Sequence, residues 1–453
     1  MPSDRQTGFL ERLGLNRPEL RAWAMYDWAN SAMVTLIVTA VFPIFYKRVT
    51  AAGLDKSVAD YRFSIATTIA LAVSAILSPL LGTIADYAAA KKRYLGLFLA
   101  LGVVTTALMF FLQQGMWLAA LVLFALSNIG ANGSFVFYDA LLPHVARPDE
   151  MDRVSTAGYA LGYIGGGLLL VFALLMIKAP GMFGLPAGDG LTPAQATLPT
   201  RISFLITAVW WALFSIPLFR RVSEPPAAPR PAAVAGVGTA RLAFRQLAET
   251  LRHLRSYRQA FVLLIAFLIY NDGIGTIIRM ATIYGDTRHL SETVMIGSIA
   301  AVQFIGIPFS FAFGRMAGKI GSKRAIFLGL AVYCGISILA YFMTTALHFI
   351  LLACLVGTVQ GGTQALSRSL FARLIPAHKS GEFFGFFSVF EKFAGILGPL
   401  FFALMIQATG SSQGAILSVI VFFLVGGALL AKVNVAEGEA QAREAERALA
   451  GAA

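Results

Sequence analysis

"AMYDWANSAMVTLIVTAVFPIFY", residues 24–46, reads as a membrane-crossing helix that carries a carboxylate near its start. Asp27 lies in the first turns, with Asn30 and Ser31 just beyond. A charge at the centre of a spanning helix costs about 2.5–3.5 kcal/mol on insertion scales, so Asp27 demands a partner or a task. The whole chain repeats this character. Of its 453 residues, 57% are hydrophobic and 13% charged, where soluble proteins carry about 25% charge. Long apolar runs recur from residue 22 to residue 432. The chain is therefore expected to be a polytopic, all-α membrane protein.

The start of the chain is not read as a secretory signal. It mixes Arg5, Arg12, Arg17 and Arg21 with Asp4, Glu11 and Glu19, and no A-x-A-like site precedes the polar flank. The net charge of +13 sits mostly between apolar runs, where membrane orientation puts basic residues, and so implies no nucleic-acid partner. Cys334 and Cys354 both fall in apolar runs and are read as buried thiols outside any disulfide framework. His144, His253, His289, His348 and His378 show no ligand spacing. No H-E-x-x-H, G-x-S-x-G or P-loop motif is present. The expectation is a protein that is not an enzyme, with no cofactor and no metal, driven by an ion or solute gradient and not by its own ATP hydrolysis.

At about 20 residues per span the sequence predicts twelve helices: 22–46, 61–86, 94–113, 116–142, 154–178, 201–219, 259–285, 292–318, 324–343, 347–372, 382–408 and 412–432. Lys91, Lys92, Arg93, Arg147, Arg153, Lys319, Lys323, Arg324, Arg373 and Lys379 fall on one set of loops. Lys47, Arg48, Lys56, Lys178 and Arg288 fall on the other. The richer set is predicted to be cytoplasmic, with both termini inside a bacterial plasma membrane.

The organisation expected is a cytoplasmic segment 1–21, a six-helix bundle 22–219, a linker 220–258, a second bundle 259–432 and a tail 433–453. "SEPPAAPRPAAVAGVG" reads as flexible. "ARLAFRQLAETLRHLRSYR" reads as a basic amphipathic helix on anionic inner-leaflet lipids. The polar tail is expected to be solvated.

Two halves echo each other. "LGTIADYAAAKKRYL" and "FGRMAGKIGSKRAIF" open on Gly82 and Gly314, 232 positions apart. "LLPHV" and "LIPAH" place Pro143 and Pro376 at a shift of 233, and so do Gly162 with Gly395 and Gly165 with Gly398. "MYDWAN" is echoed by "IYNDGI". Such duplication marks transporters. At this point the chain resembles the major facilitator superfamily, whose loop signature runs roughly G-x-x-x-D-[RK]-x-G-[RK]-[RK]. Gly82, Asp86, Lys91, Lys92 and Arg93 fit it, with the basic residues shifted by one. Tyr87 and Ala89 depart from it, and Gly318 replaces the Asp in the second copy, which implies a charged latch in the first copy only. "YDWANSA", "RVSTAGYALGYIGG", "YNDG" and "GGTQALSRSLFARLIP" together resemble the vacuole-effluxer-like family, which includes fungal vacuolar amino-acid exporters linked to autophagy.

The resemblance implies that spans one, four, seven and ten line a central cavity. Those spans carry polar stripes of their own: Asp27, Asn30, Ser31 and Thr35; Asn128, Asn132 and Asp139; Asn271, Asp272, Thr276 and Arg279; Gln360, Gln364, Ser367 and Arg368. Asp272 lies about 20 Å along its span at 1.5 Å per residue, near mid-membrane, where such transporters bind substrate. It is the expected coupling carboxylate, and Arg279 the expected cation for a solute carboxylate. Asn271, Asn30, Asn128, Asn132, Gln360 and Gln364 are the expected polar lining. Asp27 and Asp139 lie nearer the cytoplasmic ends and read as gating residues, as do Asp86 and Arg93. Adjacent Glu391 and Lys392 point about 100° apart on a helix, so each is expected to form a structural ion pair with another helix. The expected function is alternating-access transport of a small polar solute. An amino acid is favoured, with proton coupling and export. A non-transporting receptor or regulator, or a drug or lipid effluxer, are the alternatives.

Overall fold

In the computed structural model, residues 8–228, 257–287, 290–409 and 412–450 are described. The described residues form helices and no strands. In chain order the long helices are α1 (Pro18–Thr50), α2 (Lys56–Ala88), α3 (Lys91–Phe111), α4 (Trp117–Val145), α5 (Met151–Lys178) and α6 (Leu198–Arg221). Then come α7 (Arg258–Thr287), α8 (Glu292–Ile320), α9 (Ser322–Tyr341), α10 (Ala346–Arg373), α11 (Ser380–Thr409) and α12, built from Ser412–Ser418 and Ile420–Ala431. A last helix, α13, covers Val435–Ala450. Among the described residues eleven helices are long and apolar enough to cross a membrane. The helix outside that count is α11, which holds the eleventh place by order and length.

The first six helices pack on one another, and so do the last six. The halves meet along α5 against α8 and α2 against α11. Small residues permit these approaches. A Cβ on Gly82 would stand 2.1 Å from the Gly381 carbonyl oxygen, and one on Gly165 would stand 2.3 Å from the Trp28 carbonyl oxygen. The "GYIGGG" stretch of α5 thus seats α1 directly on its backbone.

The opening helix is not a uniform α-helix. Val34–Ala40 and Tyr46–Thr50 run in the wider π register. Pro43 has no N–H to give and its ring crowds the carbonyl of Thr39. The Thr39 hydroxyl donates instead to the Val34 carbonyl, five residues back, at 3.2 Å. A π segment at this depth leaves the outer half of α1 less tightly laddered than the inner half.

The first and last described residues lie on one face of the bundle, called the terminal face below. Two expectations are corrected there. The first concerns the tail, which is docked rather than solvated: Glu437 accepts from the Gln259 side chain at 2.8 Å and Glu446 accepts from the Ala377 N–H at 3.0 Å. Gly438 of α13 sits against Leu374, and Ala442 is buried. Its small apolar residues recur at helical spacing, which gives α13 a face to bury. The second concerns the linker, whose start is anchored rather than free. Glu224 accepts from the Lys91 and Lys92 N–H groups at 2.7 and 2.9 Å and caps α3. Ala228 N–H donates to the Asp86 carbonyl at 2.7 Å. The predicted basic helix lies outside the described residues. Cys334 and Cys354 are free, and half-buried rather than buried.

Candidate functional site

The polar residues singled out by sequence fall into two layers. One lies at mid-height between α7, α10 and α11; the other spans the two halves nearer the terminal face.

In the mid-height layer, Asp272 is fully buried, 14 residues into α7. Neither carboxylate oxygen has a hydrogen-bond partner among the described residues. Its neighbour is Gly398 of α11, where a Cβ would stand 2.8 Å from Asp272 Oδ1 and 1.7 Å from Thr276 Oγ1. Only a glycine lets α11 come this close. Asn271, one position earlier, accepts from the Gln364 amide of α10 at 3.2 Å. The guanidinium of Arg279 folds back over Gly275, one turn from Asp272, while the residue as a whole is exposed. Gln360 is half-buried on α10, one turn from Gln364. On the other half, Asn30 donates to Ser134 Oγ at 3.4 Å, and Asn132 donates to the Asn128 carbonyl at 2.9 Å. Asn128 and Asn132 therefore bond to each other along α4.

The second layer is built on Arg368, a residue of α10 inserted into the first six helices. It is 2% exposed. Its Nη1 donates to Asp139 Oδ1 at 3.0 Å and approaches Asp27 Oδ2 at 3.4 Å. Its Nε donates to Ser155 Oγ and its Nη2 to the Ser155 carbonyl, both at 2.9 Å. Asp27 also accepts from the Tyr138 hydroxyl at 3.1 Å and from Ser31 at 3.3 Å. Asp27 and Asp139, from α1 and α4, are thus brought together by one cation from the opposite half. The sequence marked Arg368 as polar; its position as the shared partner carried no local signal.

Two further contacts join the halves at the terminal face. Asp86 accepts from the Gly381 and Glu382 N–H groups at 3.0 and 2.8 Å, at the positive end of α11. It also pairs with buried Lys91 at 2.5 Å. Arg93 is exposed, so Lys91 takes the place expected of it. The second contact corrects the expectation of a single charged latch. Asp152 of α5 accepts from Ser369 at 2.5 Å and Ser322 at 2.6 Å, with Arg373 at 3.6 Å. The second signature copy lacks its own carboxylate at Gly318, and the neighbouring helix of the other half supplies one.

Glu391 and Lys392 are also corrected. They pair with each other at 2.9 Å, because the long lysine stem swings its ammonium back across the 100° between adjacent positions.

Among the described residues, the polar contacts between the halves all lie at the terminal face or at mid-height. The outermost joins Gln303 of α8 to Thr35 of α1 at 3.2 Å. The molecule is therefore closed on the terminal side.

Comparison with known proteins follows the same lines. The sequence pattern described as "Vacuole effluxer Atg22 like" matches residues 49–443. A Bacillus subtilis protein described as an uncharacterized MFS-type transporter, YxiO, is 39% identical over 415 residues, covering 91% of this chain and 94% of that one. Autophagy-related protein 22-2 of Emericella nidulans is 26% identical over 318 residues. That match covers 64% of this chain, which spans about half, 52%, of the fungal relative. Among solved structures, the human organic anion transporter MFSD10 superposes with a TM-score of 0.69 at 15% identity, covering 91% of this chain and 99% of that one. The proton:xylose symporter XylE gives 0.68 at 13%, covering 92% and 95%. At such identities these two speak for the fold alone.

Proposed function

The chain belongs to the vacuole effluxer Atg22-like family of MFS-type transporters, and from that premise we propose that it moves a small amino acid by alternating access, coupled to protons and in the direction of export. It is an integral membrane transporter and not an enzyme. The terminal face is assigned to the cytoplasm and the membrane to the bacterial plasma membrane. The asymmetry of basic residues supports this, because the loops of the terminal face hold most of them.

The observation that carries the coupling reading is Asp272. A buried carboxylate whose oxygens accept no hydrogen bond among the described residues is costly as an anion. A proton or the ammonium of a solute relieves that cost, and either would do so at mid-height, where two bundles rocking about a central site expose it to each side in turn. The Asn271–Gln364 pair offers neutral donors and acceptors alongside. Arg279, two turns further along α7 with its guanidinium folded back over Gly275, supplies the cation for a solute carboxylate. Asp27, Asp139, Arg368, Asp86 and Asp152 close the cytoplasmic side when the site faces outward.

The test is uptake into proteoliposomes. A thermal-shift screen of amino acids first identifies a ligand, since a solute that binds the native state raises apparent stability. Wild-type protein is then expected to accumulate it under an imposed pH gradient. Asp272→Asn is expected to keep counterflow exchange and lose gradient-driven accumulation. Accumulation that stays gradient-dependent in Asp272→Asn removes Asp272 as the proton carrier. Binding with no flux in the wild type removes transport and favours a receptor.

A further inference from the structure

The surroundings of Arg368 form a cation cage that belongs entirely to the first six helices. Its walls are Trp23 and Asp27 of α1, Tyr138 and Asp139 of α4, and Ser155 and Tyr159 of α5. The Arg368 guanidinium carbon lies 5.0 Å from the Trp23 ring centre, 5.5 Å from that of Tyr138 and 4.7 Å from that of Tyr159. Three aromatic faces around a guanidinium, with carboxylates in its plane of donors, is the chemistry of organic-cation recognition.

The cage does not depend on its present occupant for its shape. Trp23 and Tyr138 stack at 4.3 Å, and the Trp23 indole N–H donates to the Tyr138 carbonyl at 3.0 Å. The Tyr138 hydroxyl holds Asp27, and Gly158 presses against the same carboxylate, with a Cβ there standing 2.9 Å from Oδ2. The charges are also unequal: two carboxylates face one guanidinium.

Arg368 comes from the other half. On the alternating-access reading above, on which this inference rests, opening of the terminal face withdraws α10 and leaves two carboxylates in an aromatic pocket. We propose that the vacated cage binds the cationic group of the transported solute, a guanidinium or primary ammonium, and that Arg368 is the built-in competitor that displaces it as the terminal face closes. The solute class is thereby narrowed to small molecules bearing an organic cation. The cage holds the solute on the terminal side, and Asp272 meets it at mid-height.

The test uses the full chain in detergent with Arg368 shortened. Arg368→Ala is titrated with guanidinium chloride at low millimolar concentration. Urea of equal shape and no charge is the control, with sodium chloride matching ionic strength. The expected result is a saturable rise in unfolding temperature with guanidinium and none with urea. Wild type, whose cage is filled, is expected to show no such rise. Arg368→Ala/Asp139→Asn is expected to bind guanidinium at least about tenfold more weakly, since one of the cage's two charges is gone. Arg368→Gln, which retains hydrogen bonding to Ser155, serves the same titration if the alanine variant does not fold. An equal response to urea, no saturable response, or an undiminished response in the double variant overturns the cage; no response would mean that protons alone neutralise Asp27 and Asp139. Guanidinium binding without solute flux keeps the cage and rejects transport. Flux of neutral solutes without guanidinium binding rejects the cage alone.

Discussion

Ala89 closes α2 with φ at +46°, in the left-handed region. The Ala90 N–H returns to the Ala85 carbonyl at 3.1 Å, which is how a helix end satisfies its carbonyls when one residue turns left-handed. Glycine adopts that conformation freely, and a Cβ makes it cost about 1–2 kcal/mol. The superfamily signature has glycine here, and the structure supplies the reason. Ala89→Gly is expected to stabilise the folded protein by about 1 kcal/mol after the added freedom of the unfolded chain is counted. A rise in unfolding temperature in detergent checks it, and a fall would show that the Ala89 methyl contributes packing. Residue type and depth were legible in the sequence at this scale: Asp27, Asp139 and Asp272 stood out because charge is costly in an apolar run. Their partners were not legible. Arg368 is 341 positions from Asp27, and no local pattern connects them. The Glu391–Lys392 pair failed for the opposite reason, since helix geometry fixes where Cβ points but not where four further carbons reach.

At the scale of elements, the hydrophobic period placed every long helix within a few residues, because about 20 apolar residues in succession leave little choice in lipid. The α13 helix escaped that logic. Its composition is polar, and its docking depends on a surface assembled from α7, α10 and the short turn after α10. Arg373 lies at the centre of this surface. It faces Asp152 of the first half at 3.6 Å, Ser322 at 2.5 Å and Glu439 of α13 at 3.7 Å. Through Glu439, α13 helps hold Arg373 where it reaches across to α5. Removing residues 435–453 is expected to leave the twelve long helices folded and to weaken closure of the terminal face. A cysteine at Ser369, buried beside Asp152, reports this by its reaction with a membrane-impermeant maleimide. Labelling is expected to rise about two- to fivefold on truncation, in keeping with partly exposed ion pairs worth up to about 1 kcal/mol. Unchanged labelling would make α13 a passive cover.

For the whole molecule, the repeat at a shift of 232–233 was the most informative feature of the sequence, and the structure gives one repeated pair of glycines an equivalent task. Gly165 seats α1 on α5, and Gly398 seats α7 on α11. The halves nevertheless diverge where they do different work. The first half holds two carboxylates in an aromatic cage, and the second holds Asp272 at mid-height and contributes the arginine. This asymmetry was invisible while the two halves were aligned only by their glycines, because glycines report backbone approach and not charge. Closure on the terminal side then depends on contacts between α2 and α11 as much as on the arginine. Ser78 of α2 and Ser388 of α11 are both buried, with hydroxyl oxygens 3.5 Å apart. That is close enough for a Ser78→Cys/Ser388→Cys pair to bridge with little backbone movement. Oxidation of this pair is expected to arrest transport nearly completely, and a reductant to restore it, with either single variant insensitive to oxidant. Oxidised protein that still transports would mean that α2 and α11 do not separate during the cycle, and the rocking of two rigid halves would have to give way to movement of α7 and α10 alone.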